Sequence, residues 1–154
     1  MDKIKNVHSL KIRTTKEPEF IDITEEIINL IIESQINDGF VLVYSKHTTA
    51  AIKINENEPL LLKDMEEFLK RIAPKDANYN HNNFSVRTVN MNEDECPNGH
   101  SHCAHLLLST SESIPIIDGK IALGQWQRIF LVELDSGFSK NGQEREVLVQ
   151  IIGD

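Results

Sequence analysis

Five residues able to ligate a metal fall between positions 96 and 105: Cys96, His100, His102, Cys103 and His105. Imidazole and thiolate both suit Zn²⁺ and other transition metals, so this density points to a bound divalent cation. The spacing is not that of a zinc finger, because there is no CxxC pair. An apolar set of Ala104, Leu107 and Leu108 predicts a short helix from about Ser101. On that helix His102 and His105 share a face, whereas Cys103 turns about 100° away from His102. A metal is therefore expected on the imidazoles of His100, His102 and His105, with His47 or His81 as a more distant ligand. The other reading is a polar helix start carrying free thiols. His100 falls at the predicted N-terminus, where backbone N–H groups and the dipole favour an anion over an imidazolium.

Other candidates lie at strand ends. His47 stands between an apolar run, FVLVY, and the small residues Thr48, Thr49, Ala50 and Ala51, so it is either a satisfied core histidine or a catalytic one. Glu56, Glu133 and Asp135 could serve as acid, base or Mg²⁺ ligands, although exposed carboxylates at such places are commonplace. In GQWQ at 124–127 an amide, an indole and a second amide follow a turn residue. They either read a ligand, or Gly124 makes a bulge while Trp126 fills the core. No GxSxG, P-loop or Rossmann fingerprint is present.

The elements that must position these groups are legible from periodicity. Apolar residues on both sides of Asp118-Gly119 predict a hairpin pairing 114–117 with 120–123. Residues 126–134 read as a strand apolar on both faces at its middle, buried between layers or under a neighbouring subunit. Residues 7–14 alternate as a strand with one wet face, and TKEPEF turns the chain. Asp22 and Glu25 suggest a capping box opening a helix through Asn37, with Gly39 stopping it. Residues 40–44 predict a strand buried on both faces, and HTTAAIKINENE a further strand. A helix from Pro59 turns Leu61, Met65, Phe68, Leu69 and Ile72 inward and ends before Pro74. Residues 74–99 are too long and Asn-rich for an ordinary connection, so they form a functional loop or a disordered insertion, with 85–89 as a short edge strand. After a polar loop over 135–143, residues 147–152 alternate as a last strand.

The whole chain bounds the function. Its 154 residues, 40% hydrophobic and 26% charged, suit one domain. A net charge of −8 without a basic cluster argues against nucleic acid, and leaves an anionic small molecule only where local groups overcome the field. No run approaches the ~20 apolar residues of a membrane span, and the start MDKIKNVHS lacks a signal-peptide core. The cytoplasm is the expected compartment, where its two cysteines stay reduced.

HTTAAIKINENE at 47–58, Ala104-His105-Leu106, and SxxxPIxDGKIxLGxWQxIxLxExD from Ser111 to Asp135 together resemble the YjbQ family, sometimes called secondary thiamine-phosphate synthases. The resemblance covers nearly the whole chain as one domain, 1–154. It implies an α+β fold with two packed, mainly antiparallel sheets, two long helices and one short one, assembled as a homotrimer. Carried over residue by residue, it points to His47, Asn55, Glu56, His81, His105, Gly124, Trp126 and Gln127. The activity implied is transfer of an aminopyrimidine-methyl group from its diphosphate onto a thiazole phosphate. His105 and the helix start at 100–102 would serve the phosphates, His47 acid–base or ligand work, and Trp126 would stack on a ring, with Zn²⁺ or Mg²⁺ as cofactor. The alternatives are a metal-dependent phosphate-ester hydrolase and a non-catalytic trimer that binds a metal or metabolite. Two departures stand out: Cys103 replaces the acidic residue that many relatives carry before the Ala-His pair, and Gln125 gives GQWQ where GTWQ is more usual.

Overall fold

The computed structural model describes residues 6–137 and 142–154. In chain order the elements are β1 (Asn6–Arg13), β2 (Glu19–Asp22), α1 (Thr24–Ser34), β3 (Gly39–Ser45), β4 (Ala50–Asn55), α2 (Pro59–Ile72), α3 (Gly99–His105), β5 (Ser111–Ile117), β6 (Lys120–Ile121), β7 (Arg128–Glu133) and β8 (Glu144–Gly153). They form a five-stranded sheet, ordered β1-β8-β3-β5-β6, and a three-stranded sheet, β2-β7-β4. Every paired strand is antiparallel. The expected α+β architecture of two antiparallel sheets with two longer helices and one short one is what the chain adopts.

The layers follow from the alternation along β7. Ile129 and Leu131 face a core shared with Ile27 and Ile31 of α1 and with Val41, Val43 and Val149 of the larger sheet. Phe130 and Val132 face the opposite way, onto Leu69 of α2 and Ala104 of α3. Every residue from Ile129 to Glu133 is 0% exposed, so the apolar character of both faces is satisfied within one chain. The start of α1 is tied to this strand, because Ile23 N–H donates to the Ile129 carbonyl and Ile129 N–H donates to Thr24 Oγ1.

The Asp118-Gly119 hairpin forms as predicted, with Ile117 opposite Lys120 and both turn residues at positive φ, 51° and 70°. The helix at Pro59 is capped by Glu58, whose carboxylate accepts from the N–H groups of Leu60 and Leu61. Several details differ from expectation. TKEPEF is not only a turn, since Glu19–Asp22 forms β2 against β7. Helix α1 ends at Ser34 through a left-handed Gln35, φ 57°, rather than at Gly39. Gly39 instead opens β3, where a Cβ would come within 2.0 Å of the Ile152 carbonyl oxygen. Strand β3 is buried on one face only: Val41 and Val43 are internal, while Phe40 and Tyr44 are each 40% exposed. Phe68 and Ile72 of α2 face solvent, and residues 85–89 form no strand. The middle of the polar loop predicted over 135–143 lies outside the described residues. No helix among the described residues is long and apolar enough to cross a membrane.

Candidate functional site

The long Asn-rich segment folds around one guanidinium. Arg87 Nη1 donates to Glu95 Oε1 at 2.6 Å and to the His81 carbonyl at 3.4 Å, and Nη2 donates to the Asn90 carbonyl at 2.6 Å. Backbone N–H of Asn92 and the Arg87 side chain together hold the Glu95 carboxyl below its ordinary range. A side chain with five fixed donors suits this task, because a loop without sheet pairing has carbonyls to satisfy. Ordered in this way, the segment forms one wall of a cleft of about 740 Å³. The other walls are α3, Thr48 and Thr49 before β4, and the Asp135–Gly137 stretch after β7.

Two imidazoles meet in this cleft. His81, on a 3-10 turn at Asn80–Asn82, and His102 of α3 lie edge to face, with ring centroids 4.7 Å apart and planes at 71°. His81 Nε2 is buried without a protein partner. Burial is the main cause holding His102 below the ordinary imidazole range; His81, Arg87 and His105 add to it, and Asp135 opposes. Asp135 is itself fixed, its Oδ1 accepting from Gly137 N–H at 3.0 Å and its Oδ2 from Asn98 Nδ2 at 2.9 Å.

Below the cleft floor lies a buried ion pair. Glu133 accepts from Arg145 Nε at 2.7 Å and Nη2 at 2.5 Å, from Thr14 Oγ1 at 2.8 Å and from Asp135 N–H at 2.8 Å. Arg145 Nη2 also reaches Thr49 Oγ1 and the Asp135 carbonyl. Glu133 is therefore committed to structure rather than open to act as acid, base or metal ligand.

The residues expected to act do not all converge. His47 is outside the cleft lining: its Nε2 accepts the Glu146 N–H at 2.8 Å. A neutral ring then carries its proton on Nδ1, so Arg145 Nη1, 3.4 Å away, finds no acceptor there. Burial first, then the Arg145 charge, lower its pKa. His100 turns to Glu17, 3.3 Å from Oε1, and away from the His81–His102 pair. His105 is not in the cleft lining, although its field reaches His102 and its Nε2 is buried without a partner. The start of α3 offers little to a phosphate, because the Gly99, Ser101 and His102 N–H groups already donate to Asn82 Oδ1 and the Asn98 carbonyl.

Asn55, Glu56, Trp126 and Gln127 gather at the other end of the smaller sheet. Asn55 stands opposite Arg128 at the start of β7, and the cleft follows its end, about 17 Å away at ~3.3 Å per strand residue. There Gln127 Oε1 accepts the Gly124 N–H, closing a turn, and Trp126 is 64% exposed rather than in the core. Sequence reasoning missed Arg87 and Asn98. The one signal for Arg87 was an arginine inside an Asn-rich loop with many carbonyls to satisfy.

The family model described as "UPF0047 protein YjbQ-like" matches residues 8–154. The chain belongs to the YjbQ family. A UPF0047 protein of Methanocaldococcus jannaschii is 39% identical over 152 residues, covering 98% of this chain and 97% of its own. One of Methanothermobacter thermautotrophicus is 38% identical over 144 residues, 94% of this chain and 90% of its own. Among solved structures, a YbjQ-like protein of Sulfolobus solfataricus superposes with a TM-score of 0.83 at 30% identity, covering 96% of each chain.

Among the described residues no three His, Cys, Asp or Glu side chains converge as a ready metal cage. A metal in this YjbQ chain would have two imidazoles, His81 and His102, and would take its remaining ligands from solvent or substrate. Two imidazole nitrogens, that of His81 buried and unpartnered, fit a zinc-like cation better than Mg²⁺, which prefers oxygen.

Proposed function

We propose that the cleft holds a divalent transition metal between His81 and His102 and acts on a phosphorylated small molecule, with phosphate-ester hydrolysis as the reaction the geometry supports best. The observation that carries this reading is the edge-to-face imidazole pair with its unpartnered buried nitrogen. Bound there, a cation supplies the positive charge a phosphate needs and acidifies water. The protein alone does not supply that charge: Asp94, Glu95 and Asp135 line the walls against a single Arg87, which is already paired with Glu95. His102, kept neutral, offers a lone pair at neutral pH, and Asp135 gives the proton of an attacking water an acceptor. Thr48, Asn90, Asn92 and Asp94 are exposed, so water reaches the site freely, which suits hydrolysis.

The transfer of an aminopyrimidine-methyl group to a thiazole phosphate is the second reading. One observation favours it: the exposed indole of Trp126 offers a stacking surface, and a homotrimer can bring it from another copy. A homotrimer is supported by the outer face of the larger sheet, where Phe40 stands beside Ile152 and Pro115 in register, with Phe40 and Ile152 40% and 44% exposed. Light scattering after size exclusion tests it; Tyr44→Glu should yield monomers.

The decisive experiment is metal analysis of protein purified from the cytoplasm without added metal, beside hydrolysis of simple phosphate esters and synthesis from the two thiamine precursors. His81→Ala and His102→Ala should each lose metal and turnover, while Cys103→Ser and His105→Ala keep the metal. Full metal occupancy in both of the first two variants refutes the reading.

A further inference from the structure

We infer that the protein has a second ligand site, outside the cleft, which takes a short aliphatic carboxylate the size of hexanoate. The site is a recess of about 160 Å³ bounded by the end of α2, by α3 and by the chain at Glu17-Pro18. It shares no lining residue with the cleft, so the inference stands apart from the metal-and-phosphate reading. Pro18, Leu69, Ala73, Ala104 and Leu134 give it an apolar floor. Leu69, Ala73 and Ala104 are also what packs the two helices onto Phe130 and Val132 of β7. Two of those three are alanines, too small to fill the space between the helices, and a hollow remains. Apolar hollows of this kind accept apolar guests. One water claims ~30 Å³ in the liquid, so the recess admits roughly five groups the size of a water or a methylene.

The charges around the recess select the head group. Among the described residues Glu17 is the one acid of the lining, and its accepting positions are taken. Oε1 accepts from Lys75 Nζ and His100 Nε2, and Oε2 from the Ser136 N–H and Oγ. Four bonds saturate a carboxylate, so an ammonium finds no free acceptor here. Ser101 Oγ is likewise spent, on the Leu134 carbonyl. The two lysines of the lining are less committed. Lys75 gives Glu17 one of its three donors, and Lys70 meets only Glu67, three residues back on the helix surface at 3.4 Å, a weak tie. Their side chains are 50% exposed for Lys70 and 66% for Lys75, so the stems line the recess while the ammonium groups stand in water. An aliphatic tail laid on the floor carries its carboxylate out to those ammonium groups. A neutral head gains nothing from them.

Titration of isotope-labelled protein with acetate, butyrate, hexanoate, octanoate, hexanol and hexylamine, followed by amide chemical shifts at constant ionic strength, tests this. Hexanoate should move the amides of Leu69, Ala73 and Ala104. Affinity should rise about fourfold for each methylene buried, from acetate to hexanoate, and then level off at octanoate, whose tail outgrows the recess. Hexanol and hexylamine should both bind more weakly than hexanoate. Lys75→Gln should lower hexanoate affinity by about two- to fivefold and leave hexanol unchanged. Ala73→Leu fills the recess and should abolish hexanoate binding; the wild-type chain-length series and Lys75→Gln decide the matter if that variant does not fold. Absence of shifts at those three amides overturns the site. Equal or tighter binding of hexanol or hexylamine overturns the head group, and an affinity that keeps climbing to octanoate overturns the assignment to this recess.

Discussion

Replacing Glu133 by Gln should destabilise the protein by about 3–5 kcal/mol, the usual cost of breaking a buried ion pair from one side. The side chain is fully buried and its partner Arg145 is 6% exposed, so water does not compensate the stranded guanidinium. The carboxylate accepts four hydrogen bonds, two from Arg145 and one each from Thr14 and the Asp135 N–H. An amide has one accepting oxygen, so at least one Arg145 donor is left facing an NH₂ group. For a chain of this length each kcal/mol moves the melting temperature by about 3 °C, which makes the expected drop about 10–15 °C. Urea denaturation at pH 7 of the single variant, Arg145→Met and the double variant closes the cycle. In the double variant the amide still accepts from Asp135 N–H and donates to Thr14, so its loss should be no larger than that of Glu133→Gln alone. A single-variant cost under about 1 kcal/mol, or a double-variant loss equal to the sum of the singles, refutes the assignment of a coupled pair.

Burial raises the Glu17 carboxyl, but hydrogen bonds from His100, Lys75 and Ser136 outweigh it and hold the pKa at about 2. A depressed carboxylate contributes stability above its unfolded value of 4.5 that disappears as pH falls towards 2, so Glu17→Gln should cost about 2 kcal/mol at pH 7 and almost nothing at pH 2. His47→Ala removes the acceptor for Glu146 N–H and should cost about 1–3 kcal/mol in chemical denaturation while leaving metal content intact. Gly39→Ala puts a Cβ 2.0 Å from a backbone oxygen of β8 and should lower the melting temperature by several degrees, by about 1–3 kcal/mol. Because His102 is held below the ordinary imidazole range, metal release on acidification, followed with a colorimetric chelator, should have its midpoint below about pH 6.5.

The hairpin, β1, β4, α2 and β8 were readable because one face of each is wet, or because a turn dipeptide or Pro59 marks a boundary. Strand β2 was not, since its Glu19–Asp22 run is only four residues and follows Glu17-Pro18, which reads as a turn. For β3 the apolar run FVLVY gave the right element and the wrong burial. Periodicity cannot separate an inner face from an outer one when both are apolar. In the site, His81 and His102 were each among the candidates, yet their meeting depends on how Arg87 folds the 79–98 segment, and that contact carries no sequence period. His100 and His105 looked equivalent to His102 by spacing. On a helix of seven residues, a two-residue step sends His100 to Glu17.

The burial of β7 gives the cleft one stiff wall and one soft one. Amide hydrogens of residues 129–133 are paired on both edges and covered on both faces, so they should exchange with solvent only on global unfolding, and Asp135 hangs from that rod. His81 rides on a segment without sheet pairing, held by Arg87, by Asn82 Oδ1 accepting the Gly99 N–H and by the Tyr79 hydroxyl on the Pro74 carbonyl, and such a segment opens at a fraction of the global free energy. Mild urea should therefore disconnect the two histidines while the sheets remain intact.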